Sequence, residues 1–172
     1  MCSVVLTNGG IVNAYYANQG VLMLKVDILA VGKLKEAFWR DACAEYLKRL
    51  GAYAKVHVIE VPDSNPCNEA PALFAHLDAL PPSAQVVLLD IRGKEVSSEQ
   101  LAEKLEAWTV GGTSHLVFVI GGSEGVTPEI KQRANERLSF GPITLPHNLA
   151  RVVLLEQLYR AFKIIKGEPY HK

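Results

Sequence analysis

The chain has 172 residues, room for one ordinary domain and little for two. With 49% apolar and 21% charged residues it has the makings of a real core, which excludes a disordered chain. Lys plus Arg balances Asp plus Glu at 18 each, which argues against a histone-like or tail-driven nucleic-acid binder but leaves room for a local basic patch.

Cys2, Cys43 and Cys67 show no CxxC spacing, so neither a zinc site nor a disulfide framework is indicated, and a reducing cytoplasm is the expected home. No apolar run approaches the length of a membrane span. Residues 1–22 lack a basic start, and Asn8-Gly9-Gly10 and Asn13 break any apolar stretch, so a secretory signal is not indicated. Firm periodicity begins after Met23. Residues 1–22 are therefore expected to be a disordered or non-native extension before a single domain over 23–172. An added strand around Ile11 to Tyr16 is the alternative.

Lys25 to Val31 reads as a strand and Ala37 to Leu50 as an amphipathic helix. Lys55 to Val61 alternates and is β-branched, a second strand. Pro62, Pro66 and Pro71 mark a loop that leads into a helix around Ala72 to Leu80. Gln85 to Asp90 is a continuous apolar run, expected of a strand covered on both faces. Ser97 and Gln100 form a capping box for the next helix, with Leu101, Leu105 and Trp108 on one face. His115 to Ile120 is another buried strand, and Thr127-Pro128-Glu129 supplies a helix start. Ile143 to Leu145 is expected as a short strand, and Asn148 to Lys166 as the longest helix.

Strands alternating with helices predict a mainly parallel sheet with helices on both faces. Ligands then bind at the carboxyl ends of the strands. Three candidate loops lie there: 90–94, 121–125 and the Pro146-His147 corner. Gly121, Gly122 and Gly125 allow a sharp turn and a close approach to a flat ligand. Their GGxxG spacing fits neither the dinucleotide fingerprint nor a P-loop, and a plain tight turn remains open.

His57, His76 and His115 sit inside predicted elements and read as structural. His147 stands at a strand-to-helix corner one turn before Arg151, and His171 ends the chain with Lys172. From His147 onward five Lys or Arg stand against two Glu, which suits phosphate contact or, alternatively, a solvated helix face. The apolar set on the last helix is broad enough that part of it could face a second subunit.

The runs Leu145-Pro146-His147-Asn148-Leu149-Ala150-Arg151, Glu156-Gln157-Leu158-Tyr159-Arg160-Ala161 and Gly167-Glu168-Pro169-Tyr170-His171 resemble the RlmH family, large-subunit rRNA pseudouridine N3-methyltransferases of the SPOUT superfamily. Residues 28–33, 89–94 and 120–125 fit the same family in order, so the resemblance covers about Met23 to the end. Phe140-Gly141-Pro142-Ile143 departs from the Ser-Lys-Met-like stretch of the family, which puts side-chain contacts at Gly141 and Pro142 in question.

The resemblance implies an α/β knot with a C-terminal trefoil. It places S-adenosylmethionine against Leu89, Gly121, Gly122, Gly141, Pro142, Ile143, Thr144, Leu145 and Pro146. It also implies a homodimer through the last helix and a pseudouridine in 23S rRNA of the assembled ribosome as target. His147, Arg151 and His171 are the expected catalytic residues, and Arg160, Tyr170 and Lys172 the expected RNA contacts. No metal is called for. The rivals are a SPOUT enzyme acting on tRNA or another uridine, and a catalytically silent binding module.

Overall fold

The computed structural model describes residues 23–170. The expectations for residues 1–22, for His171 and for Lys172 lie outside the described residues. The elements run β1 (Lys25–Val31), α1 (Ala37–Leu50), β2 (Lys55–Val61), α2 (Pro66–Asp78), β3 (Gln85–Glu95), α3 (Ser98–Val110), β4 (His115–Ile120), α4 (Pro128–Arg133), β5 (Glu136–Ser139) and α5 (His147–Ile165).

The five strands pair in parallel in the order β2-β1-β4-β3-β5. The continuous apolar runs take the interior places, and β4 is buried at every residue. The alternating Lys55–Val61 strand takes an edge, as its polar positions require. On one face Val26, Ile28 and Phe118 pack against α1, α3 and α5, through residues such as Leu50, Leu105 and Leu158. On the other, Leu29, Val31 and Val119 pack against Leu73 and Leu77 of α2 and Ile130 of α4. Neighbouring strands β1 and β4 therefore send their following helices, α1 and α4, to opposite faces. That divergence opens a crevice at the carboxyl end of the sheet.

Local chemistry fixes the helix starts. Asn65 caps α2 by accepting from Asn68 N–H at 3.0 Å, with Pro66 at the first helical position. Ser97 and Gln100 close a reciprocal capping box on α3.

Two sequence expectations are corrected. Helix α2 begins at Pro66 rather than near Ala72, because Pro66 starts a helix well and the exposed Pro71 is accommodated inside it. Ile143 to Leu145 is irregular and pairs with no strand; Ile143 is 73% exposed. The fifth strand is instead Glu136–Ser139, hydrogen-bonded to β3.

Strand β3 also runs on to Glu95. Leu138 pairs with both Leu89 and Lys94, so residues 90–93 bulge out around β5. The crossing is tight. A Cβ on Gly93 would stand 2.7–2.8 Å from the backbone of Arg137 and Leu138, a contact only glycine allows.

Candidate active site

A cleft of about 750 Å³ opens at the carboxyl ends of β3, β4 and β5. Residues 88–92, 120–126, 138–141 and 143–147 line it, together with Lys131 and Ala150. The three loops singled out from sequence therefore meet in one place. Leu89, Gly121, Gly122, Gly141, Ile143, Thr144, Leu145 and Pro146 all line this cleft, whereas Pro142 is exposed beside it. Its size suits a drug-sized ligand, for which pockets of roughly 300–1,000 Å³ are usual.

The walls are mostly backbone. At Gly121 a Cβ would meet Val126 Cγ1 at 2.8 Å and the Gly125 carbonyl carbon at 3.0 Å, so the loop folds back on itself only without a side chain there. Gly125 N–H donates to the Gly122 carbonyl at 3.0 Å and closes the turn. Asp90 sits at the mouth of the bulge. Its Oδ1 accepts from Arg92 N–H at 3.0 Å, while Oδ2 has Arg137 at 3.6 Å and Lys131 at 4.0 Å.

His147 is the first residue of α5 and borders the cleft, half-buried. Its imidazole rests on Gly32, the residue after β1, so closely that a Cβ there would stand 2.9 Å from Nε2. Gly32 also has φ +86°, a left-handed backbone that itself favours glycine. The start of α5 has no side-chain cap and no acid in its first turn, so its free N–H groups keep their partial positive charge at the cleft.

Arg151, one turn further on, does not line the cleft. Its guanidinium is 1% exposed. It donates to Glu60 Oε1 at 2.7 Å and to the Gly32 carbonyl at 2.8 Å. It thus ties the ends of β1 and β2 to α5 and fixes the floor on which His147 sits. Sequence reasoning missed Gly32 and Glu60 as members of this group, although a glycine that ends a buried strand was a usable sign.

Arg160 lies far along the last helix, and Tyr170 lies beyond its end. Thirteen residues at about 1.5 Å each put Arg160 about 20 Å from His147. Arg160 pairs with Glu156 at 2.6 Å, and Tyr170 donates to the same carboxylate at 3.2 Å with its ring 4.8 Å from the guanidinium carbon. Burial, helped by hydrogen bonds to Tyr46 and Glu156, pushes the Tyr170 hydroxyl up to about 12, so it remains a donor at neutral pH. Among the described residues, no group of three or more His, Cys, Asp or Glu could hold a metal ion. No helix among them is long and apolar enough to cross a membrane.

A parallel α/β sheet whose cleft is built from backbone loops at its carboxyl edge, with a histidine at the rim, defines a small-molecule-binding α/β protein of the nucleotide- or cofactor-using kind. Comparison narrows the class. Residues 24–171 match the family model described as predicted SPOUT methyltransferase, and the chain belongs to that family. It is 48% identical over 159 residues to ribosomal RNA large subunit methyltransferase H of Bacillus cytotoxicus, across 87% of this chain and 100% of that protein. Among solved structures it resembles a probable methylase family protein of Haemophilus influenzae, with a TM-score of 0.56 and 16% identity over 83% of this chain and 66% of that one. A putative RNA methyltransferase of the TrmH family from Porphyromonas gingivalis gives a TM-score of 0.42 at 12% identity, over 78% of this chain and 59% of that one.

Proposed function

We propose that this protein methylates N3 of a pseudouridine in large-subunit (23S) ribosomal RNA, on the assembled ribosome in the cytoplasm, with S-adenosylmethionine as donor and as a homodimer. The observation that carries the reading is the meeting of three strand-end loops in one cleft with His147 at its rim. The full-length relative at 48% identity, an rRNA methyltransferase by name, supplies the substrate class.

The cleft fits the donor on its own evidence. Its volume is adequate, its walls offer backbone groups, and Gly121 lets the 121–125 loop fold back on itself to form one of those walls. When bound, the donor supplies an activated methyl group on a sulfonium. Residues 140–146 and the loop 121–125 would hold it, with Leu89, Ile143 and Leu145 covering its flat part and excluding water. The bulge of 90–93 around β5, tight at Gly93, is consistent with a trefoil threading in which the chain passes back towards α5.

N3 of the target base is a good nucleophile only once its proton has left. His147, at the rim of the cleft, would remove or position that proton. The uncapped N-terminus of α5 stabilises the anion that develops. Arg151 is a positioning residue, because it holds the carbonyl of Gly32, the residue on which the imidazole rests. Arg160 stands about 20 Å along α5 from His147, with Tyr170 packed beside it, so we assign their RNA contacts to the cleft of the partner subunit. The half-buried Leu149, Val152 and Val153 of α5 offer the apolar surface for that pairing. His171 and Lys172 are assigned, with Tyr170, to orienting the RNA and stabilising the charge of the anionic base.

The test is mass spectrometry of 23S rRNA and tRNA from a deletion strain, with and without the gene restored. Restoration of a single N3-methylpseudouridine is expected; a methyl mark on tRNA instead would overturn the substrate assignment. His147→Ala is expected to lose about 10²–10⁴ in rate, and undiminished turnover would remove His147 from the mechanism.

A further inference from the structure

Glu69, on the first turns of α2, is 2% exposed, a depth at which carboxylates are rarely found without partners. Its Oε1 accepts from Ser64 N–H at 3.0 Å, and its Oε2 has no hydrogen-bond partner. None of the ion pairs among the described residues includes it. Both carboxylate oxygens press on the back of Gly122: a Cβ there would meet Oε1 at 3.1 Å and Oε2 at 3.4 Å. The front of Gly122 lines the cleft. One backbone residue is thus all that separates an uncompensated buried acid from the ligand space.

Burying a carboxylate without a counter-charge is costly. Helix capping accounts for one oxygen through Ser64. It does not account for the other, nor for a location directly behind the glycine loop. The missing counter-charge would be found in the cleft. Of the two forms of the cofactor in the proposed reaction, the donor carries a sulfonium cation, whereas the spent product, S-adenosylhomocysteine, has a neutral thioether sulfur and is otherwise alike in charge. An ionised carboxylate behind Gly122 would attract the sulfonium and gain nothing from the neutral sulfur.

We infer that Glu69 is a positioning residue that, through Gly122, makes the cleft prefer the sulfonium donor over its thioether product. This rests on the donor assignment proposed above. When the methyl leaves with its positive charge to neutralise the anionic base, the attraction behind Gly122 disappears, and product release is eased. The loop's glycine has a second purpose in this account. Any side chain at 122 would push the carboxylate away from the cleft.

The experiment is calorimetric titration of the full-length protein with S-adenosylmethionine, S-adenosylhomocysteine and sinefungin, a cationic amine analogue, in wild type and Glu69→Gln. The amide keeps an acceptor for Ser64 and removes the charge. Affinity for the two cations is expected to fall on the order of tenfold, with S-adenosylhomocysteine changing less than about twofold. Glu69→Met, of similar length and without a polar atom, carries the same expectation and keeps the test open if the amide variant fails to fold. An equal loss for all three ligands would show a structural role and overturn the inference while leaving the donor assignment intact. A wild type that binds none of the three would overturn both.

Discussion

The two ends of the central sheet treat buried polar groups in opposite ways. At the amino end Asp27, 5% exposed, is fully engaged: it takes His115 Nε2 at 2.7 Å, His57 Nδ1 at 3.1 Å and Lys25 Nζ at 2.9 Å, gathered from β1, β2 and β4. At the carboxyl end lie all four buried side-chain atoms that lack a hydrogen bond among the described residues: Glu69 Oε2, Asp90 Oδ2, Asn148 Oδ1 and Arg151 Nε. The same fold and the same strands carry both. A satisfied network adds stability, whereas single polar atoms without a hydrogen bond near a cleft are retained where a ligand or a positioned side chain makes use of them. The amino end is therefore read as the anchor and the carboxyl end as the working edge.

Arg151→Ala gives the largest expected effect, because Arg151 belongs to both roles. It removes a fully buried side chain and leaves the Gly32 carbonyl without its donor, while the partly exposed Glu60 keeps Leu34 N–H at 3.3 Å, a loss of about 3–4 kcal/mol in denaturant unfolding. The seat of His147 goes with it, so donor turnover falls too. A variant with wild-type stability would show that the guanidinium is not what joins β1 and β2 to α5.

Asp27→Asn comes next and separates the two ends. Burial alone would raise the Asp27 carboxyl, but the bonds from Lys25, His115 and His57 outweigh it and hold it below its ordinary 3.8. A depressed acid stabilises the fold above its unfolded value and loses that contribution as pH falls through the folded one. Asp27→Asn should therefore cost about 2–3 kcal/mol at pH 7, with the gap from wild type closing below about pH 3.8. Calorimetric affinity for S-adenosylmethionine should stay within about twofold. A large loss of affinity would mean the ends are coupled and the division is false.

Sequence periodicity identified four of the five strands: three by their continuous apolar runs in the interior, and Lys55–Val61 by its alternation at the edge. It missed Glu136–Ser139, which is four residues with two charges and pairs on one side only, so its pattern is too short to read. It placed a strand at Ile143 to Leu145 because the residues are β-branched and apolar, although that apolar surface faces the cleft rather than a sheet neighbour. Site residues next to strand ends in the chain, such as Gly121 and His147, were readable from the order of elements. Glu60 and Glu69 were not. Their contacts to Arg151 and Gly122 join segments more than fifty residues apart, and nothing local announces them.

Gly121→Ala tests the working edge with a smaller cost. The new Cβ must displace Val126 and the Gly125 backbone, an overpacking of about 1–3 kcal/mol. The loop bends to admit it, and donor affinity falls at least about tenfold. Undiminished affinity would remove the 121–125 turn from the site.

Ser97→Ala, the smallest, is the control that gives the others meaning. Ser97 Oγ accepts from Gln100 N–H at 3.2 Å and Gln100 Oε1 from Ser97 N–H at 2.9 Å, so the substitution loosens a capping box on α3 at a cost of about 1 kcal/mol. Helix α3 packs on α5 beneath the cleft, yet Ser97 itself lines a different hollow, beside Phe140 and Gly141. If the edge works through local contacts, donor affinity is unchanged by this loss. If affinity drops in proportion to stability, then Gly121→Ala reports the looseness of the whole fold rather than a collision in one turn. The contrast between the two ends would then have to be drawn from Asp27→Asn alone.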